Sequence, residues 1–259
     1  MRRIDPNRIV PDAAWDATAA AADLAVSRGA AVKTYSTVWG ATKTRLKAVS
    51  QGKCWYCEAR QERADNAVDH YRPKSLYPWL AFKLSNYRYA CTFCNSVRMN
   101  PETGESAGKG DHFPLFGTVR ATNLAGLNAE DRVLLDPCCG SDPGLLDFLD
   151  DGTPCAKYPE QHKRFVRADK SIHYYHLDHP ELVESRRQLA LQIKGWIDGA
   201  EAIYSEVDQG DPNVERAFSA FVECICRAIA ESAEFSVFAR RIVDGYRNKP
   251  WVEDLLQCA

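Results

Sequence analysis

Hydrophobic and polar positions divide the 259-residue chain into a helical start, a middle in which no period persists, and a helical end. Residues 12 to 28 are rich in alanine, follow Pro11 with Asp12 as a cap, and stop near Gly29, which predicts a helix. A second helix is expected from Ser36, carrying Val38, Trp39, Leu46 and Val49 until Gly52 ends it. Beyond Pro180, Leu189, Ile193, Trp196, Ile197, Ala200 and Ile203 recur at helical spacing, as do Val214, Phe218, Phe221, Val222, Ile225 and Ile229. A third helix around Phe235, Phe238 and Ile242 completes a small bundle that ends near Gly245. Between these ends come a cysteine knuckle at Cys54, a short strand at 67 to 71, a proline-broken loop, an aromatic segment from Tyr77 to Tyr89, and a second knuckle opening a short helix. Residues 100 to 130, rich in Gly, Asn, Thr and Ser, read as an irregular connector. Residues 133 to 137 read as a strand end, with further short strands at 145 to 152 and 164 to 167. There is no internal repeat or low-complexity tract.

The pattern predicts an α+β chain, mainly α, in three regions: a helical segment at 1–52, a compact module at 53–116, and a mostly helical region at 117–259. Hydrophobic content of 45% and charge of 26% suit a soluble globular protein, and the longest apolar run is too short to span a bilayer. Met1-Arg2-Arg3 leads into Ile4-Asp5-Pro6-Asn7 rather than an apolar stretch, so neither a signal peptide nor a membrane partner is expected, and the location is read as cytoplasmic. A net charge of -2 argues against coating nucleic acid by bulk electrostatics. A local basic surface would be needed, and 54 to 98 offers one. There Arg60, Arg63, Arg72, Lys74, Lys83, Arg88 and Arg98 outnumber Glu58, Glu62, Asp65 and Asp69 by three charges.

Four of the ten cysteines form two CxxC pairs, Cys54 with Cys57 and Cys91 with Cys94. In a reducing compartment such pairs favour metal binding over cross-links. The competing readings are unrelated pairs or a redox-active CxxC. The shared form of the knuckles and the lack of a thioredoxin-like strand-helix context favour structural Zn²⁺ with four thiolate ligands. The small middle stretch cannot bury a core unaided, and a metal staple compensates. Between the knuckles, Asp69 offers a hard carboxylate for a cation such as Mg²⁺, and His70 an imidazole that titrates near neutral pH. Glu58 reads as a cap on the following turn and Asp111-His112 as a loop near the module. His173, His176 and His179 read as packing or capping residues at a helix start. Cys138, Cys139, Cys155, Cys224, Cys226 and Cys258 read as buried or free thiols.

The order Cys54-x-x-Cys57-Glu58, Asp69-His70-x-Arg72-Pro73-Lys74-Ser75, Asn86-Tyr87-x-x-Ala90 and Cys91-x-x-Cys94-Asn95 resembles the HNH, or ββα-metal, endonucleases in their four-cysteine zinc form. The likeness covers roughly residues 54 to 98. Leu135-Asp136-Pro137, Phe148 to Gly152, the stretch from Arg167 to Lys170, and Leu182 to Arg187 further resemble the nuclease subunit of Septu anti-phage systems and related HNH proteins encoded beside an ATPase. Cys138-Cys139 and His176 to His179 stand outside that likeness. The resemblance implies a zinc-stapled ββα-metal module in a helical body, with His70 as general base. It implies Asp69 and Asn95 as ligands of a catalytic Mg²⁺ or Mn²⁺, and Asn86 as the brace of the loop. Asn95 stands where a histidine is also found, which favours an oxygen-ligated ion. Arg72, Lys74 and Arg98 are candidates for holding phosphates. The leading expectation is therefore a DNA endonuclease working with an ATPase partner. The rivals are a non-catalytic zinc module that binds nucleic acid or protein, and an HNH nuclease acting on RNA.

Overall fold

The computed structural model describes residues 1–10, 12–60, 66–99, 104, 106–207 and 209–258. Arg63, Glu62 and Asp65 of the basic stretch, and Pro11 before the first helix, lie outside the described residues. The described chain is mainly helical with three small strand pairs.

Helix α1 (Ala13–Ser27) starts where expected, because the Asp12 carboxylate accepts the Trp15 amide at 3.1 Å. It ends where Gly29 turns to a φ of +101°. The continuous helix expected from Ser36 is instead two pieces, α2 (Ser36–Gly40) and α3 (Lys43–Val49). Gly40 is a poor helix former, and the buried Thr42 donates its hydroxyl to the Trp39 carbonyl at 2.7 Å, so a side chain satisfies the group that the next helical turn would have used. These pieces pack Ile4, Ile9, Trp15, Val38, Leu46 and Val49 into one core with Trp55, Phe82, Tyr87 and Tyr89. The Trp15 indole donates to the Val38 carbonyl at 2.7 Å and ties α1 to α2.

The middle holds an antiparallel pair followed by a single helical turn. Strand β1 (Ala67–His70) pairs with β2 (Tyr87–Ala90), setting Asp69 opposite Arg88 and His70 opposite Tyr87. Alternation along β1 sends Asp69 and His70 to opposite faces. Helix α4 (Thr92–Asn95) follows directly on Cys91. Strands β3 (Arg98–Met99) and β4 (Ser106–Ala107) pair next. Gly108, at φ +122°, runs so close to α4 that a Cβ there would lie 2.1 Å from the Ser96 carbonyl oxygen.

Residues 133 to 137 are not a strand. The segment is buried, and side chains satisfy its backbone: Tyr71 donates to the Leu134 carbonyl and Tyr175 to that of Leu135, both at 2.7 Å, while Ser171 Oγ accepts the Leu135 amide at 2.8 Å. Asp136 receives Arg88 through two hydrogen bonds, at 2.8 and 2.7 Å. The strands at β5 (Leu146–Phe148) and β6 (Pro154–Ala156) are shorter than expected. The expected strand at 164 to 167 is a helix, α5 (Lys163–Tyr174), which the His162 ring caps by accepting the Arg164 amide at 3.0 Å. Its partly or fully buried Phe165, Ala168, Ser171 and Ile172 share one helical face, a period too short to recognise from four residues.

Two compact units result. The first contains 1–146 and 155–179, so the regions expected at 1–52 and 53–116 lie together in it; the second contains 147–154 and 180–259. The second unit comprises α6 (Pro180–Val207), α7 (Pro212–Ile229), α8 (Ser236–Asp244) and α9 (Pro250–Cys258). Gly199 of α6 lies against the Phe221 ring of α7, where a Cβ would sit 2.6 Å away. Arg186 is buried between Phe148 and Phe235, and its Nε donates to the Gly152 carbonyl at 2.6 Å. The unexpected α9 buries Trp251, Val252, Leu255 and Leu256. Among the described residues no helix is long and apolar enough to cross a membrane.

The Arg88–Asp136 pair anchors the buried segment to β2 within the first unit. Asp136→Ala leaves a buried guanidinium without its partner and is expected to cost about 3–5 kcal/mol in urea unfolding. A loss below about 1 kcal/mol would show that the pair does not hold the segment.

Candidate metal centre and adjoining cavity

Cys54, Cys57, Cys91 and Cys94 are all buried, and their four sulfurs lie within 4.8 Å of one another. A tetrahedral zinc with bonds of about 2.3 Å needs sulfurs about 3.8 Å apart. Cys57 and Cys91 stand at that 3.8 Å. The cluster is positioned to bind a metal ion, and its donors fit zinc. The first knuckle closes as the Glu58 amide donates to the Cys54 carbonyl at 3.0 Å, with Glu58 at φ +67°, and the Cys54 amide donates to the Ala59 carbonyl at 2.9 Å. In the second, the Asn95 amide donates to the Cys91 carbonyl at 3.0 Å. Burial opposes ionising Cys54, but hydrogen bonds from Cys57, Cys91 and Cys94 hold its thiol well below the ordinary value. Burial and the other three cysteines push Cys94 well above it. Glu58, expected as a cap, is buried with its carboxylate 4.0 Å from Lys53 Nζ.

Beside the cluster lies a cavity of about 140 Å³ lined by Val68, Asp69, His70, Pro73, Lys74, Asn95, Gly110 and Asp111. His70 is held edge-on between Trp39 and Tyr87, both at 5.1 Å between centroids, and its Nε2 is 3.0 Å from the Ala81 carbonyl. A carbonyl only accepts, so Nε2 carries the hydrogen and Nδ1 keeps the lone pair. Burial lowers the imidazole to about 4, only partly offset by the Ala81 hydrogen bond. His70 is therefore neutral at pH 7 and a weaker base than its sequence suggested.

Asp69 has both carboxylate oxygens engaged. Tyr56 donates to Oδ2 at 2.6 Å, and Lys109 donates to Oδ1 at 2.8 Å and to the His70 carbonyl at 2.7 Å. Lys109 is completely buried. Burial and the neighbouring Asp69 charge raise the Tyr56 phenol well above its usual range, so it remains a donor. Its ring stacks on Tyr175 at 4.0 Å. Sequence reasoning missed Lys109, because nothing local marks a lysine forty residues downstream as the partner of Asp69.

Asn86 is buried. Its Oδ1 accepts the Arg72 amide at 2.9 Å and its Nδ2 donates to the Arg72 carbonyl at 3.0 Å, fixing the chain just past β1. Arg72, expected to contact phosphate, donates its guanidinium to Glu130 at 2.7 Å and lies among Tyr71, Tyr77 and Phe113. Lys74 lines the cavity with Nζ 5.7 Å from the Trp39 centroid. Arg98 is exposed on β3 over Phe93 and does not line the cavity. Asp111, read from sequence as a nearby loop residue, does line it; a repeat of the Asp-His pair was the available signal. His112 packs on Tyr174, and His179 on Phe93 and His176, within the first unit.

No protein-family model matches this chain. Over 167 residues it is 29% identical to the Septu protein PtuB of Bacillus mycoides (strain KBAB4); the alignment covers 59% of this chain and 52% of that protein. The chain thus spans about half the length of the curated relative it matches.

The depressed His70 value has a consequence for stability. An unfolded His70 takes up its proton near pH 6.5, whereas the folded one stays neutral down to about 4. Its contribution is therefore complete above pH 6.5 and is lost as pH falls towards 4, by about 3 kcal/mol in all. Relative to His70→Gln, wild-type unfolding free energy should fall by that amount between pH 7 and pH 4, read by urea titration at each pH. A difference independent of pH would contradict the burial of a neutral imidazole.

Proposed function

We propose that this chain is a metal-dependent endonuclease of the HNH type that hydrolyses DNA phosphodiester bonds, acting in the cytoplasm as the nuclease effector of an anti-phage defence system with an ATPase partner. The observation that carries this reading is the His70 imidazole, with its Nδ1 lone pair available, in a polar cavity shared with Asp69 and Asn95 beside a four-cysteine metal site. The defence context draws on the likeness to the Septu protein PtuB.

Phosphodiester hydrolysis requires an activated water and stabilisation of charge on the phosphoryl oxygens and the departing oxygen. His70 Nδ1 accepts the proton of the attacking water, while the Nε2 bond to Ala81 fixes the ring and its tautomer. Asp69 and Asn95 offer hard oxygen donors suited to Mg²⁺ or Mn²⁺. Such an ion, when bound, supplies the electrostatic stabilisation of the phosphoryl group. Lys74, which lines the cavity, is the proposed phosphate contact, with Arg98 as a candidate further out. Asn86 keeps the turn after β1, and hence His70, in place. The helices of the second unit are the proposed surface for the ATPase, since a chain with net charge -2 has little general attraction for DNA.

With Mg²⁺ or Mn²⁺, and with and without the ATPase, wild type should cleave plasmid DNA, and His70→Ala should be slower by about 100-fold or more. Cleavage by His70→Ala at the wild-type rate would overturn the assignment. Transfer RNA and single-stranded DNA in parallel reactions distinguish an RNA nuclease, and DNA binding without cleavage under every condition would identify a non-catalytic zinc module.

A further inference from the structure

Among the described residues two carboxylates, Asp69 and Asp111, line the cavity, and they differ in how far their charge is already satisfied. Asp69 is 4% exposed and spends both oxygens on Tyr56 and on the buried ammonium of Lys109. A divalent cation drawn to Asp69 would also meet the positive charge of Lys109, 2.8 Å from the same carboxylate, so the Asp69–Lys109 unit brings little net negative charge to the cavity. Asp111 differs. It is exposed, and among the described residues it takes part in none of the ion pairs.

The segment carrying Asp111 is fixed against the helical turn carrying Asn95. Gly108 lies on the Ser96 backbone at a distance that admits no side chain. The Lys109 amide donates to the Cys94 carbonyl at 3.0 Å, and the Gly110 amide to the Asn95 carbonyl at 2.8 Å. The His112 amide then donates to the Lys109 carbonyl at 2.8 Å, which turns the chain at Asp111. Asn95 and Asp111 thus line one cavity from segments bonded backbone to backbone, with Asn95 next to Cys94 of the cysteine cluster.

We propose that Asp111 is a further ligand of the divalent cation at this cavity, beside Asn95 and Asp69, and supplies the negative charge that Lys109 already offsets at Asp69. The proposal rests on the nuclease reading for the presence of that cation. It assigns the uncompensated negative charge of the site to a residue outside the knuckle-bounded stretch. Hard oxygens are the donors that Mg²⁺ and Mn²⁺ prefer, and Asp111 adds a carboxylate whose charge no ammonium offsets.

The test is Mn²⁺ binding to the purified full chain, followed by electron paramagnetic resonance of free Mn²⁺, with zinc content and thermal unfolding as checks on the fold. Asp111→Asn keeps an oxygen donor but loses the charge, whereas Asp111→Ala loses both. Expected is a loss of affinity of about ten-fold in Asp111→Asn and a clearly larger loss in Asp111→Ala, with zinc content and melting temperature unchanged. Equal losses in the two variants would assign the effect to charge alone and overturn the ligand role. Affinity within two-fold of wild type in both, while Asn95→Ala loses it, would overturn the role of Asp111 and leave the cation site standing. No saturable Mn²⁺ binding by wild type would remove both the cation site and this proposal.

Discussion

Closing four sulfurs from two distant knuckles is the constraint on which the candidate site depends. Strands β1 and β2 have four residues each and α4 a single turn, too little apolar surface to hold a unique arrangement. The cluster draws residues 54–57 and 91–94 together, and Asn95, one residue beyond Cys94, is positioned by it. A metal in such a thiolate site contributes on the order of 10–16 kcal/mol to folding, more than the net stability of most domains. The β1–β2 register then sets Asp69 opposite Arg88 and His70 opposite Tyr87.

Buried polar contacts extend this frame through the first unit. One runs from Tyr175 through Tyr56 to Asp69 and Lys109, joining α5, the first knuckle, β1 and the loop after β4. The other runs from Arg88 on β2 to Asp136, beside carbonyls that take hydrogen bonds from Tyr71 and Tyr175. Each links elements far apart in sequence, and each fails if one member is lost, because the partner is then a buried unpaired group. The scattered blocks around Leu135-Asp136-Pro137 and Arg167 thus meet within the first unit, where the Arg167 guanidinium donates to the Val133 and Leu134 carbonyls, both at 3.3 Å.

Local chemistry explains which features were readable from sequence. The CxxC spacing, the Asp12 cap, the alternation at 67 to 70 and the long periods of α6 and α7 are written within short windows. The break at Gly40 to Thr42 was not, because it depends on a hydroxyl reaching the Trp39 carbonyl. The backbone of residues 133 to 137 reads as strand-like but is satisfied by tyrosine and serine side chains. Arg72 sits in a basic run, yet Glu130, fifty-eight residues away, claims its guanidinium, and Lys109 likewise became visible only through its contact with Asp69. The knuckles and the long helices were thus legible, while α5, α9 and the partner of each charge required the fold.

The cavity and the cysteine cluster are neighbours with different demands. The cluster is buried, sulfur-lined and closed; the cavity is open and lined by oxygen and nitrogen donors around a neutral histidine. The most direct test of this division is the metal content of the purified, folded full chain, measured by elemental analysis alongside thermal unfolding. One zinc per chain is expected, with Cys91→Ser losing both the zinc and the cooperative transition of the first unit. A chain that folds with the same transition while holding well under one zinc would contradict the dependence of the fold on that cluster.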